Sequence, residues 1–171
     1  MRTIKIEKVT LNIGTGEPGD KLEKAKKLLG TISGMKAVPT ASNKRIPTWK
    51  VRPGLQIGCR VTIRGEKAKE LLKRLLQGVE NTLPEVKFDR QGNFSFGVPE
   101  YLDVPELKYD AEIGVIGFNV AVTLKRAGFR IKHRKLKKKK IPVKNKITKE
   151  ESIEFVKKEF GTQIGEQNDD Q

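Results

Sequence analysis

The chain has 171 residues and a mass of 19.3 kDa, the size of one domain able to bury roughly 70% of the surface its unfolded form exposes. Its single cysteine, Cys59, excludes an internal disulfide and a multi-cysteine zinc site, and no apolar run approaches the ~20 residues of a membrane span. Lys and Arg number 36 against 21 Asp and Glu, a formal net charge of +15 that points to a polyanionic partner. The start, MRTIKIEKV, is too charged for a signal peptide, so a cytoplasmic protein is expected.

Residues Ile4 to Ile13 read as a strand, with Val9, Leu11 and Ile13 on one face and Lys8, Thr10 and Asn12 on the other. Ile4 and Ile6 have the opposite parity, which predicts a bulge or a frayed start near Glu7. Asp20 is expected to cap a helix carrying Leu22, Ala25, Leu29 and Ile32, stopped by Gly34. The stretch KAVPTASNKRIPTWKVRPG is broken by Pro39, Pro47 and Pro53 and reads largely as an exposed loop. Leu55, Ile57, Cys59, Val61 and Ile63 then alternate with polar residues, the pattern of a sheet covered on one side. A second helix is expected from Glu66 to Gln77, with Ala68, Leu71, Leu72, Leu75 and Leu76 inside. Gly92 lies in a turn between strand-like pieces, and Phe118, Val120, Val122 and Leu124 form a later strand. A basic loop, 125–146, leads to a capping box at Thr148 and Glu151 and a last helix with Ile153, Val156 and Phe160, up to Gly161. The tail, 162–171, is acidic and expected to be disordered. The whole reads as one α+β domain, 1–171, a sheet with helices packed on one face.

The charge is segregated. From Met35 to Gly65 there are seven basic residues and no acid, and from Lys125 to Lys146 twelve and no acid, while the rest of the chain is net acidic. Such segregation predicts a cationic side for nucleic acid; an acidic protein, a membrane surface or plain solvation are the alternatives. A membrane surface would need Trp, Phe or Leu beside the lysines on an amphipathic helix, and the basic loop offers little of this.

Gly14, Gly16 and Gly19 fall on the spacing G-x-G-x-x-G of dinucleotide-binding folds. The preceding strand would then be apolar on both faces, whereas Lys8, Thr10 and Asn12 are polar. Glu17 would oppose a pyrophosphate, and no acid stands about 20 residues on to hold a ribose. A turn needing positive φ is the plainer reading, with a close backbone approach to RNA as its extension. His133, among Arg130, Lys132, Arg134 and Lys135, has no partner carboxylate nearby in sequence and is expected to face phosphate or solvent. Cys59 lies on an apolar face and reads as a buried small hydrophobe. Asp169 and Asp170 sit in the tail and cannot hold a metal. No enzyme, cofactor or metal is expected.

Four segments in order, IEKVTLNIGTG, IPTWKVRPGLQIGCRVTIRG, FDRQGNFSFGV and YDAEIGVIGFNVAVTLKRAGFRI, resemble the universal large-subunit ribosomal protein five family, in its archaeal form. The resemblance covers nearly the whole chain. It implies an antiparallel sheet with helices on one side and a structural role in the central protuberance. The implied contacts are 5S rRNA, a neighbouring large-subunit rRNA helix, large-subunit protein eighteen, the elbow of peptidyl-site tRNA, and small-subunit head protein thirteen across an intersubunit bridge. On that footing Lys8, Thr10, Asn12 and Gly14 are expected against 5S rRNA, as are Thr40, Ser42, Asn43, Lys44 and Arg45, unless Thr40 and Ser42 only cap local turns. Trp49, Lys50 and Arg52 match the segment that reaches tRNA; Trp49 either stacks on RNA or folds back locally. Arg60 and Arg64 touch RNA or pair with carboxylates. Arg130, Lys132, His133, Arg134, Lys135 and Lys137, Lys138, Lys139 and Lys140 supply unspecific phosphate or bridge contacts, in a loop expected to order only against phosphate. The rival reading is a free-standing RNA chaperone or translation regulator.

Overall fold

Period-two alternation makes the first strand two-faced. In the computed structural model, which describes residues 3–165, β1 (Ile4–Gly14) buries Val9, Leu11 and Ile13 and turns Lys8, Thr10 and Asn12 to the other side. The irregularity expected near Glu7 is a β-bulge: pairing with a later strand, β6 (Phe118–Arg126), shifts between Ile6 and Lys8. The extra residue lets Ile4 and Ile6 pack on the same core as Val9 despite their parity.

The strand is central. Beside it lie β3 (Gln56–Ile63) and β6, and the edges are β2 (Val38–Ala41) next to β3 and β5 (Phe94–Val98) next to β6, all paired antiparallel. Two helices cover one face: α1 (Asp20–Ser33) lies against β2 and β3, and α2 (Glu66–Gln77) against β1. Their inward stripes, Leu22, Ala25, Leu28, Leu29 and Ile32 on one and Ala68, Leu71, Leu72, Leu75 and Leu76 on the other, are buried, each leucine or isoleucine contributing about 1.5–3 kcal/mol by leaving water. This is the expected α+β arrangement, helices on one side of the sheet.

Three local expectations change. Asp20 does not cap α1; Gly19 does, with φ of 125°, a conformation closed to aspartate, and Asp20 joins Glu23 in the first turn, where the helix dipole favours both. The stretch expected as open loop contains β2, because an edge strand tolerates Pro39 with its donor-less nitrogen turned away from β3. Beyond it a hairpin closes through Ser42 N–H to Leu55 O and Gly54 N–H to Ser42 O, both 2.9 Å. The first residues of the tail expected to be disordered are ordered: Gln163–Gly165 forms β7, paired in parallel with β4 (Thr82–Pro84), and Thr162 is buried. Ile164, packed on the core, supplies the apolar contact that the acidic composition hides. The remaining tail, with Asp169 and Asp170, lies outside the described residues.

The basic connection from β6 leads into α3 (Lys149–Phe160), and both its ends are fastened to the folded body. Arg126 is buried, not a free loop cation; its Nη2 lies 2.6 Å from Glu151 Oε1 and its Nη1 donates to Lys146 O at 3.2 Å. Glu151 also completes the expected capping box, its carboxylate accepting from Thr148 N–H at 3.0 Å. Ile147 is buried, and Ser152 donates its hydroxyl to Gly92 O at 2.9 Å.

Gly92 has φ of +74°, and a Cβ there would stand 2.5 Å from Ile147 Cγ2. Gly92→Ala should lower the unfolding free energy by about 2–4 kcal/mol through backbone strain plus overpacking; urea denaturation checks this, and a loss inside the ordinary surface range of about 0.5 kcal/mol would contradict it. Glu151 is held below the usual carboxylate range, first by the Thr148 N–H and then by Arg126. A depressed carboxylate contributes stability above its unfolded pKa and loses it as pH falls through its folded value, so stability should decline below about pH 4.3. Glu151→Gln should flatten that decline in part only, because Lys149 lowers Glu85 and Lys27 lowers Asp110 in the same direction; an unaltered acid limb in the variant would refute the assignment.

Candidate nucleic-acid interface

With the helices on one side, the other face of the sheet is bare. Strand register sets its rows: Gly97, Asn119, Asn12, Arg60 and Val38 run across all five strands, and Ser95, Ala121, Thr10 and Thr62 form the next row. Then come Thr123 beside Lys8, and Lys125 beside Lys5. None of these positions carries a carboxylate or an aromatic ring. Asn12, Asn119 and Arg60 are exposed, while Lys8 and Thr10 are half-buried by their neighbours. Sequence reasoning picked out β1 but missed Asn119; its exposed parity in β6 was the available signal, and only register brings it opposite Asn12.

The glycine-rich turn after β1 is no cofactor cradle. Gly16 and Gly19 take positive φ, as expected, but the N–H groups of Thr15 and Gly16 both donate to Ile57 O, at 2.9 and 3.0 Å. The sheet is antiparallel, and the helix that follows starts on Gly19 without a side-chain cap. The extension of the turn toward RNA through its own N–H donors therefore loses these two groups.

Beyond this end of the sheet stands the β2–β3 hairpin. Ser42 caps its turn: its Oγ donates to Lys44 O at 2.9 Å and accepts from Lys44 N–H at 3.3 Å, which realises the local alternative for Ser42. Thr40 lies on β2 opposite Gly58, and its buried Oγ1 has no hydrogen-bond partner. Asn43, Lys44 and Arg45 are exposed. Ile46 pairs with Val51 across a 3-10 turn, Pro47–Trp49, and Lys50 closes it with φ of 54°. Trp49 does not fold back into a local core: it is 71% exposed at the hairpin tip, between Arg45 on one limb and Lys50 and Arg52 on the other.

At the opposite end of β1 the basic loop leaves β6, since Arg126 pairs with Ile4. Arg130, Arg134, Lys135 and Lys137 to Lys140 are exposed. Arg134 Nε donates to Lys137 O at 2.8 Å, and Lys132 Nζ sits 5.4 Å above the Phe129 ring. His133 does have a carboxylate near it: Glu7 Oε1, presented by the bulge, lies 3.5 Å from Nε2. That partner is far away along the chain, so only the folded sheet reveals it.

The two cationic stretches therefore lie at opposite ends of the sheet instead of forming one patch. Among the described residues, the hairpin's cations make no ion pair, whereas in the second stretch Arg126 is paired with Glu151 and His133 Nε2 lies 3.5 Å from Glu7 Oε1. The bare face connects the two ends through Arg60, Lys8, Lys5 and Lys125, a cationic lane for a long polyanion.

Other chemistry has no foothold. Cys59 is buried, and burial pushes its thiol up, which suppresses the nucleophilic thiolate. No group of three or more potential metal ligands gathers among the described residues.

Residues 1–52 match the family described as Ribosomal protein L5, and residues 56–158 match the model of the C-terminus of that ribosomal family. The chain is 47% identical over 165 residues to the large ribosomal subunit protein uL5 of Nanoarchaeum equitans, covering 96% of this chain and 97% of that one. It is 45% identical over 159 residues to the same-named protein of Methanosphaera stadtmanae, 93% and 95% covered. With that of Sulfurisphaera tokodaii it shares 44% over 167 residues, 97% and 94% covered.

Proposed function

The chain belongs to the ribosomal protein L5 family, and from that premise we propose that it lies on 5S rRNA with its bare sheet face while the two cationic ends reach neighbouring anions. It is a structural, non-enzymatic constituent of the large ribosomal subunit in the cytoplasm, of the archaeal form. One observation carries the finer reading: a face five strands wide whose outward register-paired positions hold neither a carboxylate nor an aromatic ring, the one carboxylate of β1, Glu7, standing in the bulge beside His133.

A platform for splayed single strands needs rings on which bases stack. Here Thr10, Thr62, Ser95, Ala121 and Gly97 are small, so a helical stem approaches closely through its shallow minor groove. Asn12 and Asn119, adjacent in register, each offer donors and acceptors to 2′-hydroxyls and base edges. Lys8, Thr10, Asn12 and Gly14, with Thr40, Asn43, Lys44 and Arg45 beyond them, line the 5S rRNA side, and Ser42 shapes the turn that holds the last three.

Trp49, with Lys50 and Arg52, is the contact for the tRNA elbow: an exposed indole on a short closed turn stacks on a ribose or base with little entropy to lose. The loop cations Arg130, Lys132, His133, Arg134, Lys135 and Lys137 to Lys140 hold phosphates as point charges, giving affinity and position without sequence choice. They become fixed on binding. Large-subunit protein eighteen, the adjacent rRNA helix and small-subunit head protein thirteen complete the proposed surroundings.

If six to ten phosphates are engaged, affinity for RNA should fall about 10³- to 10⁵-fold between 50 and 200 mM salt, which filter binding measures; a flat response refutes the electrostatic reading. Asn12→Ala should reduce the preference for 5S rRNA over a random RNA, whereas neutralising Lys137 to Lys140 should weaken both alike. Equal affinity of the unaltered protein for every RNA would favour the chaperone reading.

A further inference from the structure

The loop that leaves β6 at Ala127 and returns at Asn145 carries Arg130, Lys132, Arg134, Lys135, Lys137 to Lys140 and Lys144, charges that repel one another and favour a splayed chain. Its two ends are nonetheless held together. Asn145 Nδ2 donates to Ala127 O at 3.3 Å. Arg126, at the outgoing end, reaches both Lys146 O and the Glu151 carboxylate beyond the returning end. The Arg126 side chain is 5% exposed and that of Glu151 40%, so the buried arginine ties the loop's stem to the first turn of α3.

We infer that Glu151 is a positioning residue for RNA binding: through Arg126 it closes the stem of the cationic loop and aims the lysines along the end of the bare sheet face. The inference rests on the RNA-binding reading of that loop. Glu151 touches no RNA in this role. It acts by limiting the directions the loop takes before binding, so less entropy is lost when phosphates order it. Arg126 is buried and Lys146 returns its carbonyl to it, so no cation of the loop itself is consumed by the clasp.

The effect of losing Glu151 has an unusual sign. A carboxylate close to a polyanion site ordinarily weakens binding, and its removal strengthens it. Glu150, one position away and exposed, supplies the comparison: Glu150→Gln removes the same charge and leaves the clasp. At 100 mM salt Glu150→Gln should bind 5S rRNA as tightly as the unaltered protein or slightly tighter. Glu151→Gln should bind about three- to tenfold more weakly, the scale of leaving one or two groups to be ordered on binding. Active fraction, fixed by stoichiometric titration, separates weaker binding from partial unfolding. Should Glu151→Gln not fold, Asn145→Ala opens only the outer tie and should weaken binding in the same direction. Affinity in the folded Glu151→Gln protein, or in Asn145→Ala if that stands in for it, equal to that of Glu150→Gln overturns the inference and leaves the RNA-binding reading intact. Absence of RNA binding by the unaltered protein overturns that reading instead.

Discussion

A sheet clad by helices on one side only forces every strand to satisfy two environments at once. In β1 the inward set is Val9, Leu11 and Ile13 and the outward set Lys8, Thr10 and Asn12; a slip of one residue would put lysine in the core and leucine on the outside. The bulge at Glu7 protects this division, because it brings Ile4 and Ile6 back to the packed side without disturbing the residues beyond it. Everything the molecule offers a partner follows from that division. The packed side makes the scaffold, and the outer side is left free of apolar demands and is small and polar at its paired positions.

The long regular elements were legible in the chain because each carries its own period. The bounds of α2, the alternation of β3 and the capping box of α3 need only neighbouring residues for their physics. What stayed hidden depends on partners far away. β2 looks like loop because its four residues include Pro39 and show no run of alternating apolar residues, and its strand character comes from β3. β7 is three residues long and exists because β4 is beside it. Arg126 reads as one more cation of a basic run until Glu151 is brought to it, and His133 reads as isolated until the bulge delivers Glu7.

The same distinction holds for the interface. Individual residues of β1 and of the hairpin could be picked from their polarity, but the surface they belong to is a product of register. Asn119 and Arg60 flank Asn12 only because β6 and β3 flank β1. The expectation of one cationic side came from counting charges along the chain. Antiparallel topology instead sends the hairpin and the basic loop to opposite ends, so the densest positive charge brackets a polar face that carries only Arg60, Lys8, Lys5 and Lys125 between them. A bracket of this kind selects for an extended anion that spans the whole sheet, and a small phosphate ligand gains little from it.

An antiparallel sheet with free margins is a ready template for another copy of itself, and a chain not yet assembled into the large subunit would be at risk of stacking margin to margin. Pro39, in the short marginal strand β2, removes one of the outward amide donors such stacking requires. A residue that disguises this strand from the reader of the sequence thus also keeps unassembled molecules apart.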